Sequence, residues 1–171
     1  LIENEFFGFE DEDGNEEALV ANKLTEIGKT LAIAESCTGG KLAQLFTAKP
    51  GASQYLMGGV VTYATQSKID VLDVPKNLIE NYSVVSAPVC ETMAQNVLEL
   101  YKSDFAVATT GNAGPTKGES AAEVGTVFIA IATKDNVYSK EFNFGNHRTK
   151  VIGKAVNKAL EMLQQEIFKN C

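Results

Sequence analysis

The sequence contains no tryptophan and one histidine, His147, and its three cysteines are Cys37, Cys90 and Cys171. Zinc sites need cysteine or histidine pairs a few positions apart, and this chain has no such spacing. An odd number of distant cysteines also favours free, reduced thiols. We therefore expect a cytoplasmic protein that works without a metal and without a cofactor.

Basic clusters and long apolar segments are missing as well. The formal net charge is −7, whereas a nucleic-acid-binding surface needs clustered lysine and arginine. No apolar run approaches the ~20 residues that a membrane-spanning helix needs. With 171 residues, of which 44% are hydrophobic, the chain is long enough for one globular domain with its own core. We expect neither a nucleic-acid nor a membrane partner.

The first 16 residues differ in character from the rest. They combine an acidic run, E-D-E-D-G-N-E, with three phenylalanines at positions 6, 7 and 9. Such runs are usually solvated linkers, although the phenylalanines leave local docking open. The chain also begins with leucine rather than methionine, which favours a piece of a longer protein. We divide it into an acidic N-terminal or linker segment, 1–16, and a domain, 17–171.

The apolar pattern predicts the fold class. Continuous apolar runs at 31–34, 105–109 and 124–132 are typical of strands covered on both faces, and a helical stripe begins at Val151. The element order is helix, strand, helix, strand, two helices and strand, then a hairpin and a closing helix. This order predicts an α/β fold, a three-layer α/β/α sandwich with a mixed sheet. Further predicted elements are a strand at 55–63, helices at 66–72 and 86–101, and an antiparallel edge strand at 137–144.

Three strand ends are candidates for a site, because ligands bind outside the carboxyl ends of parallel strands. They are Ser36, Tyr63 and the loop 111–115. The run at 31–34 stops at E-S-C-T and is followed by two glycines and a helical pattern. A hydroxyl there lies beside the free N–H groups and the positive dipole of the helix, and the glycines favour close approach to the backbone. In the simpler interpretation, Ser36 or Thr38 is only a helix N-cap.

Ser36 has no catalytic triad available, because the only histidine lies far along the chain and no G-x-S-x-G motif exists. A neutral lysine can activate a serine instead. Lys68 follows Tyr63 by five residues, in the first turns of the next predicted helix, and Tyr63 can relay a proton or hold the amine. Judged on spacing alone, a solvated Lys68 and a structural Tyr63 remain the alternative.

The loop 111–115 has two glycines and offers backbone N–H groups to a phosphate or carbonyl oxygen, or is simply a tight turn. Arg148 is either an anion clamp or a solvated side chain. The polar segment 116–123 is long for a compact domain, and we predict a mobile flap there. Neither G-x-G-x-x-G nor the P-loop motif occurs, which argues against dinucleotide and nucleoside-triphosphate sites of those types.

Six motifs together carry a family resemblance. They are A-E-S-C-T-G-G at 34–40, G-G-V-V-T-Y-A-T-Q-S-K at 58–68, V-S-A-P-V at 85–89, T-G-N-A-G-P at 110–115, V-G-T-V at 124–127 and F-G-N-H-R at 144–148. From about residue 17 onward the chain resembles the C-terminal domain of the competence/damage-inducible CinA proteins, a family that includes stand-alone nicotinamide-nucleotide amidohydrolases. The F-F-G at 6–8 is similar to the junction with a separate N-terminal CinA domain, so such a domain in a longer chain is an expectation, and a homo-oligomer is left open.

The resemblance implies hydrolysis of the carboxamide of nicotinamide mononucleotide to nicotinic acid mononucleotide and ammonia. It assigns Ser36 as nucleophile, Lys68 as its base and Tyr63 as an assisting hydroxyl. Two departures are Asn112, where the family has an aliphatic residue, and one extra residue before Arg148. The resemblance implies substrate or oxyanion contacts for Thr38, Gly39, Gly40, Thr110, Gly111, Asn112, Ala113 and Gly114, and a phosphate contact for Arg148.

Two other functions stay open on the sequence. One is a module that binds pyridine nucleotides, or a protein partner, without turnover. The other is a Ser–Lys amidase for a different small amide.

Overall fold

The computed structural model describes residues 16–169. The acidic run and phenylalanines of the predicted linker lie outside these residues, except for Glu16, which begins the first helix. The strands are β1 Leu31–Glu35, β2 Leu56–Val61, β3 Phe105–Gly111, β4 Thr126–Thr133 and β5 Val137–Asn143. The helices are α1 Glu16–Ile27, α2 Lys41–Thr47, α3 Thr65–Leu72, α4 Lys76–Tyr82, α5 Ala87–Tyr101 and α6 Arg148–Lys169, with a short 3-10 turn at Ala52–Gln54.

The strands form one mixed sheet in the order β2-β1-β3-β4-β5. β1 runs parallel to both of its neighbours, while β3, β4 and β5 pair antiparallel. Helices α1, α2 and α6 contribute to the core on one face, and α3, α4 and α5 pack on the other. The predicted α/β fold with a mixed sheet in three layers is therefore confirmed, including the antiparallel edge strand β5.

The two faces of the sheet differ in side-chain size, and the face with the smaller side chains is the one against which α5 packs. In β1, Leu31 and Ile33 point to the α6 side, and the alternating positions 32 and 34 are alanines that point to α5. β3 and β4 repeat this alternation, and small side chains let a helix backbone come close to the sheet. The alanines on the α5 face are Ala32, Ala34, Ala106, Ala108, Ala130 and Ala132.

One helix was not predicted from the sequence. α4 has seven residues and no fully buried side chain. Leu78 and Ile79 are half-buried against the core, which is too little for an apolar stripe that a pattern could detect. The N-cap residue of this helix is Pro75. The predicted hairpin turn after β4 is confirmed, since the Thr133 N–H donates to the Asn136 carbonyl at 2.8 Å.

Candidate active site

The turn after β1 places Ser36 at the carboxyl end of an inner strand, because β1 lies between two parallel neighbours. Ser36 is buried, with 6% of its surface exposed. The interpretation of Ser36 or Thr38 as the N-cap of α2 is wrong, since the N-cap residue is Gly40 and no side chain at that position caps the helix. The capping atoms come instead from Glu35.

Both carboxylate oxygens of Glu35 accept backbone hydrogen bonds from the start of α2, at 2.9 Å from the Leu42 N–H and 3.0 Å from the Ala43 N–H. Glu35 is itself buried, and a negative charge at a helix N-terminus is favourable. Sequence reasoning missed this role, because its partners are backbone groups that have no sequence signature. Because Glu35 caps α2, the Ser36 hydroxyl is not used as a helix cap.

The two glycines after Thr38 form the turn rather than a wall of the site. Gly39 and Gly40 have φ angles of 61° and 97°, which lie in the left-handed region that favours glycine. A side chain at Gly40 would meet only Val61, at an ordinary 3.5 Å. Backbone conformation therefore explains these two glycines, and neither of them lines the cleft described below.

Lys68 reaches back from α3 to the end of the neighbouring strand and is 1% exposed. Its Nζ lies 2.9 Å from Ser36 Oγ, 2.6 Å from the Thr62 carbonyl oxygen and 3.3 Å from the Tyr63 carbonyl oxygen. Burial lowers the pKa of the Lys68 amine to about 8, since desolvation disfavours its charged form. The predicted pair of Ser36 and Lys68 is thus in direct contact.

The three neighbours of Lys68 Nζ can accept the three N–H groups of an ammonium, and they also suit a neutral amine. A neutral amine has two N–H donors and one lone pair, whereas an ammonium has three donors and no acceptor. The carbonyls of Thr62 and Tyr63 can only accept hydrogen bonds, and the Ser36 hydroxyl can also donate one. In the neutral state the two carbonyls take both N–H groups, and the lone pair faces the serine O–H.

Thr109, on β3, holds the turn from the other side and was not singled out from the sequence. Its hydroxyl lies 2.8 Å from that of Thr38 and accepts the Ser36 N–H at 3.4 Å. Its only signal in the sequence was a polar pair, Thr109 and Thr110, at the end of an apolar run. Cys37, next to the serine, is buried, and burial raises the pKa of its thiol to about 12, so the thiol stays protonated and unreactive.

A cleft of about 620 Å³ opens onto this centre. The predicted site residues Ser36, Lys68, Tyr63, Arg148 and the stretch 110–114 all line it, while Thr38, Gly39 and Gly40 do not. Arg148 Nη1 donates to the Gly114 carbonyl at 2.7 Å, and Nη2 donates to the Tyr63 hydroxyl at 3.0 Å. The extra residue before Arg148 therefore does not remove the guanidinium from the cleft.

Two side chains of the stretch 110–114 donate hydrogen bonds to backbone carbonyls of the protein itself. The Thr110 hydroxyl donates to the Val84 carbonyl at 3.1 Å. The Asn112 amide donates to the carbonyls of Lys117 and Ala122, at 3.0 and 3.2 Å. A side chain at Gly111 would come within 2.8 Å of Val127 and 3.0 Å of the Cys37 sulfur, so close packing requires this glycine.

Two backbone donors of this stretch remain for a ligand. Ala113 and Gly114 line the cleft, and their N–H groups donate to no acceptor within residues 16–169. They are therefore candidates for binding an oxyanion or a phosphate oxygen.

The model of the CinA C-terminal domain matches residues 14–167. The chain belongs to the CinA C-terminal domain family. A CinA-like protein of Flavobacterium psychrophilum is 51% identical over 170 residues, which are 99% of this chain and 40% of that protein. A CinA-like protein of Geotalea daltonii is 41% identical over 158 residues, 92% of this chain and 38% of that protein. The chain thus spans about two fifths of these CinA-like relatives.

Solved structures agree with this membership. The competence damage-inducible protein A of Klebsiella pneumoniae superposes with a TM-score of 0.87 at 33% identity, covering 92% of this chain and 98% of that one. A competence/damage-inducible protein of Agrobacterium tumefaciens superposes with a TM-score of 0.81 at 35% identity, covering 86% of this chain and 93% of that one. Within the described part of this CinA domain, no helix is long and apolar enough to cross a membrane.

Proposed function

We propose that this CinA domain hydrolyses the carboxamide of nicotinamide mononucleotide to nicotinic acid mononucleotide and ammonia. The observation that carries the proposal is the 2.9 Å contact between Lys68 Nζ and Ser36 Oγ, made by a buried amine whose pKa burial lowers to about 8. A buried serine needs a base within hydrogen-bond reach to become a nucleophile. Within the described chain, Lys68 Nζ is the one group that is hydrogen-bonded to this hydroxyl.

The chemistry proceeds through an acyl-enzyme. Neutral Lys68 takes the proton of Ser36 while Oγ attacks the carboxamide carbon, and the carbonyl oxygen becomes an oxyanion. The Lys68 ammonium then returns the proton to the leaving nitrogen, and ammonia departs as an ester forms on Ser36. Water attacks this ester with Lys68 again as base, which releases the carboxylic acid and restores the serine.

Backbone N–H groups are the candidates for stabilising the oxyanion. Ala113 and Gly114 line the cleft, and their N–H groups have no acceptor in the described chain. Removing one such donor typically costs about 3 kcal/mol of transition-state stabilisation.

A phosphorylated substrate is supported by the one arginine of the cleft lining, Arg148. Arg148 turns its guanidinium toward the Gly114 carbonyl and the Tyr63 hydroxyl, two neutral acceptors that a phosphate can replace with a charge-assisted pair. A cleft of about 620 Å³ is within the usual range for small-molecule sites.

Ammonia release from nicotinamide mononucleotide by the purified chain tests the proposal. We expect turnover that disappears in Ser36→Ala while the circular dichroism spectrum and the melting temperature stay unchanged. Ser53→Ala, an exposed serine outside the cleft, is the matched control and should keep the parent rate. An active Ser36→Ala variant would remove Ser36 from the mechanism.

The ammonia assay, together with calorimetric titration of the mononucleotide, separates the two alternatives. Tight binding of the mononucleotide by calorimetry with no ammonia release would favour a binding module without turnover. Hydrolysis of simple carboxamides at a higher kcat/KM than the mononucleotide would favour an amidase for another small amide.

A further inference from the structure

A second cleft of about 470 Å³ lies directly beside the active-site cleft. It is lined by the end of α4 and the residues that follow, including the exposed Tyr82 and the half-buried Ile79. The two clefts share three lining residues, Thr65, Val84 and Glu119. Two of these are bonded to each other, since the Thr65 hydroxyl donates to the Glu119 carboxylate at 2.8 Å. This hydrogen bond therefore stands at the border between the clefts.

Glu119 belongs to the segment that we expected to be a mobile flap. On the sheet side, Asn112 braces this segment through its bonds to the carbonyls of Lys117 and Ala122, and Lys117 pairs with Glu123 at 2.8 Å. Among the side-chain hydrogen bonds of residues 16–169, the Thr65–Glu119 bond is the one that joins the segment to α3. Asn112 thus holds the segment near its two ends, at Lys117 and Ala122, and the border bond from Thr65 holds it near its middle, at Glu119.

We propose that the Thr65–Glu119 bond sets the upper limit on substrate size, so that the site takes mononucleotide amides and rejects dinucleotide amides. This inference rests on the proposed function and names the residues that define its substrate class. A mononucleotide needs only the cleft that holds Ser36 and Arg148. A dinucleotide carries a second phosphate and a second ring, and the cleft that adjoins this one is reached across the border at Thr65, Val84 and Glu119.

The chemistry of the border and of the second cleft explains the selection. The Glu119 carboxylate repels the second phosphate of a dinucleotide at close range. Beyond it, Tyr82 is 57% exposed and offers an aromatic face on which a planar base can stack. Removing the carboxylate should therefore both open the border and make a subsite for the second ring accessible.

The test has to separate substrate size from catalysis, because Thr65 and Lys68 are three residues apart on α3 and share one face of the helix. Disturbing Thr65 or Glu119 can thus also shift the Lys68 amine. The ratio of kcat/KM for the dinucleotide to kcat/KM for the mononucleotide, measured in one variant, cancels any change at the amine that affects both substrates equally. This ratio is the quantity to compare between variants.

The experiment measures ammonia release from nicotinamide mononucleotide and from nicotinamide adenine dinucleotide. Glu119→Ala removes the charge and the bond, Glu119→Gln removes the charge and keeps an acceptor, and Thr65→Val removes the bond and keeps the charge. Glu141→Gln changes the net charge equally but lies exposed on the edge strand β5. We expect the ratio to rise at least ten-fold in Glu119→Ala, less in the other two cleft variants, and less than two-fold in Glu141→Gln.

The outcomes distinguish this inference from the proposed function. Mononucleotide turnover with a ratio that stays within two-fold in Glu119→Ala would overturn the border role and leave the amidohydrolase intact. If no variant releases ammonia, calorimetric titration of both nucleotides into Ser36→Ala, with and without Glu119→Ala, decides instead. The border role is supported if adding Glu119→Ala to Ser36→Ala raises the affinity for the dinucleotide and not the affinity for the mononucleotide. The border role is overturned if the dinucleotide binds both proteins with equal affinity, or if neither nucleotide binds.

Discussion

The Thr62 carbonyl oxygen lies 2.6 Å from Lys68 Nζ, which is closer than the Ser36 hydroxyl at 2.9 Å. Thr62 directly follows β2, and its N–H donates to the Glu35 carbonyl at 2.9 Å, which extends the pairing of β2 with β1. The same strand register therefore positions the serine at the end of one strand and the acceptor for the lysine at the end of the next. Sites supported by paired strands are better preorganised than sites held by loops alone.

The first prediction concerns the pH dependence of the proposed reaction. Burial lowers the pKa of Lys68 to about 8, and only the neutral amine can act as the base. The value of kcat/KM should therefore rise about ten-fold per pH unit well below this value and level off above it. Initial rates between pH 6.5 and 9.5 check this. A profile that is flat across this range would contradict a titrating lysine base, and Lys68→Ala should lose rate mainly in kcat.

The second prediction concerns stability. The pKa of Lys68 is about 8 in the folded chain and 10.5 in its ordinary state, so the unfolded chain binds more protons between these two values. The contribution of Lys68 to the free energy of unfolding must then become less unfavourable as the pH rises through this window. Relative to Lys68→Met, the parent should gain about 2 kcal/mol between pH 7 and pH 10.

Denaturant unfolding of both proteins at the two pH values measures this difference, and groups that titrate alike in both cancel. Lys102→Met, a surface lysine at the end of α5, provides the matched control and should show a change near zero. A parent that loses stability relative to Lys68→Met as the pH rises would reverse the sign and exclude a lowered pKa.

The sequence predicted the strands and the Ser36–Lys68 pair for different reasons. Continuous apolar runs mark buried strands, so β1 and β3 were found within one or two residues. The pair depended on a motif, because nothing in the spacing of Ser36 and Lys68 says that β2 and α3 will bring them together. Ser36 and Lys68 come into contact only once β2 lies beside β1. Two residues that are 32 positions apart in the sequence leave no local pattern that predicts their contact.

The residues that could not be found from the sequence either bind backbone N–H groups or hydrogen-bond through a buried hydroxyl. Glu35 caps α2 through two N–H groups, and any glutamate in a strand would look the same in the sequence. Thr109 resembles an ordinary strand residue until Thr38 and Ser36 approach it. α4 has no buried side chain, so hydrophobic periodicity could not reveal it.

The third prediction concerns Thr109 as a positioning residue. Thr109→Val keeps the shape of the side chain but removes the hydroxyl that bonds Thr38 and the Ser36 N–H, leaving both groups unpaired in a buried place. We expect a loss of about 1–3 kcal/mol in the free energy of unfolding and a fall in kcat with little change in KM. Thr109→Ser retains the hydroxyl and should restore most of kcat. If Thr109→Ser were as impaired in kcat as Thr109→Val, packing rather than hydrogen bonding would be responsible.

The fourth prediction concerns the role of the Tyr63 hydroxyl. The resemblance assigns it to catalysis beside Lys68, but in the structure the Lys68 amine meets the Tyr63 carbonyl, and the hydroxyl accepts a hydrogen bond from Arg148 at 3.0 Å. A hydroxyl that orients the guanidinium acts on binding rather than on proton transfer. Tyr63→Phe should therefore raise KM for the mononucleotide several-fold and leave kcat within about two-fold.

Arg148 provides the comparison that decides between the two roles of Tyr63. If the guanidinium binds the phosphate, Arg148→Lys keeps the charge but loses the planar fork that reaches Gly114 and Tyr63 together, so KM should rise here too. The double variant should then be little worse than Arg148→Lys alone, because both changes remove the same oriented cation. A fall in kcat of ten-fold or more in Tyr63→Phe, additive with Arg148→Lys, would instead place the Tyr63 hydroxyl in the proton-transfer step.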